Sequence, residues 1–131
     1  PLFLGLARLH WKKGFDVLLK ALRQVPNAYA WIAGDGPLRD DLHALAIREG
    51  VHERVRWLGW RADRERLLQA ADVCVFPSRY EPFGTVMVDA WAMNVPLIAA
   101  SSQGPAAYVA DGVNGLLVPV DDVDALAAAM R

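Results

Sequence analysis

The chain has 131 residues, the size of one domain, and its 54% hydrophobic content supplies a sizeable core. Its formal net charge of −1 argues against nucleic acid or an acidic membrane surface as the main partner. The lone Cys74 rules out an internal disulfide, and no apolar run is long enough to span a bilayer.

In chain order, Leu2 to Ala7 is a near-continuous apolar run of the kind that suits a parallel strand covered on both faces. A basic loop, Arg8 to Gly14, precedes a helical face of Phe15, Val17, Leu18, Leu19, Ala21 and Leu22 that stops at Pro26-Asn27. Tyr29–Ala33 reads as a second strand, Gly34-Asp35-Gly36-Pro37 as a turn, and Leu38–Glu49 as a helix capped by Gly50. Val55–Leu58 is a third strand, closed by Gly59-Trp60, and Asp63–Ala71 is a helix. Val73–Phe76 is a fourth strand, and Val86–Met93 is its helix, with Asn94 suited to the left-handed position at the helix end. Pro96–Ala100 is a fifth strand, followed by a polar loop and a short helix to Ala110. Leu116–Val118 is a sixth strand, and Asp121 or Asp122 caps a last helix, Val123–Met130. This alternation predicts an α/β fold: a doubly wound, Rossmann-like parallel sheet of about six strands in one domain, 1–131.

In such a sheet the loops at the carboxyl ends of the strands bind ligands. The loop Ser78-Arg79-Tyr80-Glu81-Pro82-Phe83-Gly84 opens a helix whose first N–H groups are unpaired, so an anion fits there. Glu81 and Asp89 frame that start, and Asp89 shares a helix face with Thr85, which should turn it toward the loop. Carboxylates accept from hydroxyls, so a ligand with both phosphates and hydroxyls, a nucleotide sugar, matches the pair. Arg8 and Lys13 open on the same edge, where Gly5 and Gly14 allow close backbone approach, and could hold a diphosphate at roughly 1.5–3 kcal/mol per charge-assisted bond. Taken singly, Glu81 and Asp89 read equally well as solvated surface charges, and for Arg8 and Lys13 the solvated reading is the favoured one. Trp60-Arg61 closes the third strand on this edge, where Trp60 either stacks on a base or, the favoured reading, packs under a helix. His10, His43 and His52 lack metal-ligand spacing among themselves or with Cys74, which reads as a small buried hydrophobe.

Together these loops resemble a family. Gly5-Leu6-Ala7-Arg8-Leu9, Lys13-Gly14-Phe15-Asp16, Gly34-Asp35-Gly36-Pro37-Leu38, Pro77 to Gly84 and Asp111 to Pro119 resemble, in order, the C-terminal donor-binding domain of retaining GT-B glycosyltransferases, glycosyltransferase group 1. The resemblance implies catalytic roles for Arg8 and Lys13 on the donor diphosphate and for Glu81 on hydroxyls of the transferred sugar. It implies donor contacts from Gly5, Gly34, Trp60, Arg61, Pro82, Phe83, Gly84, Thr85 and Gly104, with Asp89 on the nucleotide ribose. It implies no metal and no cofactor, the nucleotide-diphosphate sugar being the donor substrate.

Three positions depart from the family pattern. Asp89 stands where the second Glu of the Glu-x7-Glu motif is usual, and Gln103 and Ala107 replace a Gly and a Glu, although Gly104 retains an N–H to offer. A chain that opens in a strand and closes in an Ala-rich helix is expected to be excised from a two-domain enzyme, inactive without its N-terminal acceptor-binding half. The expected location is the cytoplasm, with contact at the inner face of a membrane left open. Two other readings stand beside this one: a nucleotide-sugar 2-epimerase-like domain and a non-catalytic nucleotide-binding module on the same scaffold.

Overall fold

The computed structural model describes residues 1–131. Its strands are β1 (Leu2–Leu6), β2 (Tyr29–Ala33), β3 (Val55–Gly59), β4 (Val73–Phe76), β5 (Leu97–Ala100) and β6 (Leu116–Val118). Its helices are α1 (Phe15–Arg23), α2 (Arg39–Arg48), α3 (Arg64–Ala70), α4 (Thr85–Ala92), α5 (Gln103–Tyr108) and α6 (Val123–Met130). The expected elements are all present, most with ends moved by a residue or two, while α5 begins at Gln103, inside the expected polar loop. Two short 3-10 turns, Trp11–Lys13 and His52–Arg54, were not anticipated.

The six strands form one parallel sheet in the order β3-β2-β1-β4-β5-β6. The chain winds outward from β1 in one direction through β2 and β3, then returns to β4 on the other side of β1. The loops leaving β1 and β4 therefore diverge to opposite faces, and the divergence opens a crevice at their carboxyl ends.

Both faces of the sheet are covered, which explains why the strands read as continuous apolar runs. Successive side chains alternate between two cores. Phe3, Val75 and Ile98 pack under α1, α2 and α6, whereas Leu4, Leu6, Cys74, Phe76, Leu97 and Ala99 pack under α3 and α4. Arg54 closes the first core at the end of α1, where its guanidinium donates to the carbonyls of Leu22, Val25 and Ala28 at 2.8–3.1 Å. Asp122 caps α6 by accepting from Ala125 N–H at 2.9 Å, while Asp121 adopts a positive φ of 62° and serves elsewhere. Asn94 takes the left-handed position after α4, with φ 57°.

The two loops at the crevice touch. Gly14 has φ 69°, and a Cβ on it would fall 2.0 Å from the Pro77 carbonyl oxygen. Only glycine permits this approach, which brings the start of α1 against the end of β4.

Candidate functional site

The crevice between the β1 and β4 loops is a cleft of about 600 Å³. Of the residues singled out from sequence, Arg8, Lys13, Gly34, Trp60, Arg61, Glu81, Gly84 and Thr85 line it. They come from four separate loops that share the carboxyl edge of the sheet. At its centre Lys13 Nζ donates to Glu81 Oε2 at 2.5 Å, with both side chains largely covered. The cleft carries four cations, Arg8, Lys13, Arg61 and Arg64, against two acids, Asp35 and Glu81. The excess of positive charge favours an anionic ligand.

The start of α4 forms one wall. Gly84 is its N-terminal cap residue, with φ 97°. The N–H groups of Phe83, Gly84, Thr85 and Val86 donate to no protein acceptor. Four unspent donors at the positive end of a helix complement a phosphate or a hydroxyl oxygen.

Some expectations need correction. Gly5 does not line the cleft. It lies mid-strand with the Phe15 ring over it, so that a Cβ would meet Cε1 at 2.6 Å, and its close approach serves the core. Gly104 has no N–H to offer, because it donates to the Glu81 carbonyl at 2.8 Å, and a Cβ there would fall 1.9 Å from the Phe83 carbonyl oxygen. Gly104 thus supports the loop rather than a ligand. Gln103 assists from the same turn, its Oε1 accepting from Glu81 N–H at 3.2 Å. Pro82 and Phe83 sit outside the cleft lining, with the Phe83 ring edge-on to Tyr108 at 5.2 Å.

Trp60 does not pack under a helix. It is 76% exposed on the cleft wall, because Gly59, with φ 68°, turns the chain out of β3 before it. Beside it Arg61 makes a two-pronged pair with Asp63 at 2.8 and 2.6 Å, and hydrogen bonding to Asp63 raises the pKa of the guanidinium. Asp89 is not in the lining. It accepts from Arg64 Nη1 at 2.6 Å, so it faces α3 rather than the Glu81 loop, and Arg64 is the member of the pair that reaches the cleft. Helical spacing put Asp89 and Thr85 on one side of α4 but carried no information about the cation on α3 that claims the carboxylate.

Sequence reasoning missed Arg64, Asp35, Ser78 and Arg79. The first three line the cleft, and their signal was position alone: each follows the end of a strand at the carboxyl edge. Cys74, by contrast, is buried within β4, where burial pushes its thiol pKa up to about 12, with Asp89 adding to the shift.

A parallel sheet in the 3-2-1-4-5-6 order with a cationic cleft at its switch point defines a doubly wound, Rossmann-like α/β domain. The family model for glycosyl transferases group 1 matches residues 1–131, and the chain belongs to that family. Its fold is that of one GT-B domain. It is 40% identical over 131 residues to the lipopolysaccharide core biosynthesis glycosyltransferase LpsE of Rhizobium meliloti, covering all of this chain and 38% of that one. It is 38% identical to D-inositol 3-phosphate glycosyltransferase of Mycobacterium marinum, covering 94% of this chain and 28% of the relative. Among solved structures, HepE of Anabaena in complex with UDP and glucose superposes with a TM-score of 0.93 at 35% identity, over 97% of this chain and 36% of HepE. The chain thus spans between 28% and 38% of the length of these relatives.

Proposed function

We propose that this chain is the donor-binding domain of a retaining glycosyltransferase that transfers a sugar from a nucleotide-diphosphate sugar. The observation that carries the reading is the convergence of Arg8, Lys13, Glu81 and the open amides of α4 on one cleft. Arg8 and Lys13 bind the diphosphate and stabilise the negative charge that gathers on it as it leaves, an electrostatic contribution to catalysis. These protein cations take the place that a divalent metal would otherwise occupy. Glu81 accepts from hydroxyls of the transferred sugar, and the N–H groups of Gly84 and Thr85 meet sugar or phosphate oxygens. Trp60 offers an open aromatic face to the nucleobase beside Arg61. Asp89 serves the ribose end together with Arg64, which it holds at the cleft wall.

HepE has been crystallised with UDP and with UDP-glucose, which supports a nucleoside diphosphate as the recognised unit. The acceptor belongs to a second, N-terminal domain across the cleft, so this chain alone binds donor without transferring it. No helix is long and apolar enough to cross a membrane. Titration of the chain with UDP, GDP and ADP, followed by calorimetry, tests the assignment. One of the three is expected to bind in the micromolar to millimolar range, and absence of binding for all three up to roughly 5 mM overturns it. Binding that survives chelation of divalent ions is expected as well.

A further inference from the structure

Arg79 has no place in the cleft lining, yet it makes more charged contacts than any other side chain near it. Its Nη1 and Nη2 form a fork onto both carboxylate oxygens of Asp16 at 2.8 and 2.7 Å. Nη1 also donates to the Trp11 carbonyl at 2.9 Å, and Nε donates to Asp121 at 2.6 Å. The Trp11 ring lies 5.6 Å from the guanidinium, and the Arg79 side chain is only 12% exposed. Its own backbone N–H and that of Tyr80 both reach the Lys12 carbonyl, at 2.8 and 3.3 Å.

These contacts tie three segments that are far apart in sequence: the 3-10 turn Trp11–Lys13 with the first turn of α1, the β4–α4 loop, and the loop before α6. Arg79 stands two residues before Glu81, and its partners Trp11 and Asp16 bracket Lys13. Asp121 holds its side in the left-handed backbone region, which non-glycine residues seldom occupy, and its ion pair with Arg79 is what that conformation serves. A planar guanidinium can address a carboxylate fork, a carbonyl and a second carboxylate at once, and an ammonium cannot.

We propose that Arg79 is a positioning residue for the donor diphosphate: it sets the distance between Lys13 and Glu81 while touching no ligand itself. Its consequence for binding rests on the donor-site reading above, whereas the clasp itself does not. Without it, the two loops keep the backbone bonds at Lys12, the Gly14–Pro77 contact and the Lys13–Glu81 pair itself, none of which fixes the flanking segments on both sides of Lys13. A displacement of this pair by a fraction of an ångström weakens every bond that the diphosphate makes.

The test uses Arg79→Gln, with Arg79→Lys as the variant that retains charge and fold should the first not fold. Whichever of UDP, GDP and ADP binds best to the unaltered chain is the probe. Each variant is expected to lose roughly tenfold in affinity for that diphosphate and little for the corresponding nucleoside, with Arg79→Lys the milder. In a Lys13→Ala background the Arg79 change is expected to add little, because both act on one contact. Equal losses with and without Lys13, or equal losses for nucleoside and diphosphate, overturn the proposal, since a purely structural role would give them. Amide hydrogen exchange in the free chain gives a ligand-independent readout. The N–H groups of Lys13, Gly14, Arg79 and Tyr80 are expected to exchange faster together in Arg79→Lys while those of β1 and β4 do not change. Unchanged loop exchange overturns the clasp. Failure of the unaltered chain to bind any of the three nucleotides overturns the donor-site reading, leaving the exchange result to decide the clasp.

Discussion

Lys13 and Glu81 are 68 residues apart in sequence, yet their side chains meet at 2.5 Å across the floor of the cleft. The pair joins, at one point, a cation and a carboxylate carried by two separate loops, the groups proposed above for the diphosphate and for the sugar hydroxyls. On the proposed donor-site reading, a diphosphate competes with Glu81 for Lys13, and a sugar hydroxyl competes with Lys13 for the carboxylate.

Lys13→Ala is therefore expected to weaken binding of a nucleoside diphosphate by about 1.5–3 kcal/mol, the worth of a charge-assisted bond, or roughly ten- to a hundredfold. Glu81→Gln should do the opposite for the bare diphosphate, holding or improving its affinity because Lys13 is released. It should lose any preference for the nucleotide sugar over the nucleoside diphosphate. Calorimetry with both ligands reads this out, and a preference retained in Glu81→Gln removes Glu81 from the sugar subsite.

Trp60 stands open on the cleft wall, so nucleotide binding is expected to quench its emission. Trp60→Phe should abolish most of the fluorescence change, and Trp60→Ala should cost roughly 1–3 kcal/mol of affinity if a base stacks there. An undiminished fluorescence change in Trp60→Phe would assign the signal to another tryptophan.

Asp16 gives the fold an acid-sensitive point. Its burial raises the carboxyl pKa, but the Arg79 hydrogen bonds and charge, with help from Lys20, outweigh that and leave it lowered. Asp121 faces the same guanidinium and shares it. A carboxyl with a depressed folded-state pKa contributes stability that is present above its unfolded pKa and is lost as pH falls through the folded value. The contribution is therefore whole at neutral pH and fades below about pH 4. Asp16→Asn should lower stability by about 1–3 kcal/mol at pH 7 and flatten the acid limb of a Tm-against-pH curve. Parallel curves for the two proteins would show that the pair carries no such linkage.

Gly104→Ala places a Cβ against the Phe83 carbonyl, where backbone rather than a flexible side chain must move. A loss of about 1–3 kcal/mol in denaturant unfolding is expected, with weakened donor binding because Glu81 shares the loop. A variant as stable as the parent would mean that α5 can shift without cost.

Cys74 should resist thiol reagents in the native chain, since its thiol is buried and its pKa is pushed up to about 12. Labelling with a disulfide reagent is expected only as denaturant opens the sheet. Rapid native labelling would mean that β4 is not the buried central strand described here.

Much of this protein was written locally. Apolar runs such as Leu2 to Leu6 and Val73 to Phe76, alternating with helical faces such as Phe15 to Leu22, determined the elements and the parallel sheet, because periodicity and burial act over a few neighbouring residues. The loops that end those strands followed from the same pattern, and with them the cleft positions of Arg8, Lys13, Glu81 and Thr85. Tertiary structure alone decided which charge each of these side chains answers to. Asp89 is claimed by Arg64 from α3, Gly104 spends its N–H on Glu81, Arg79 turns away to Asp16 and Asp121, and Trp60 stays in the open. Such pairings depend on how elements 20 to 70 residues apart cross in space, and a hydrogen bond reaching about 3 Å is set by that crossing rather than by spacing along the chain.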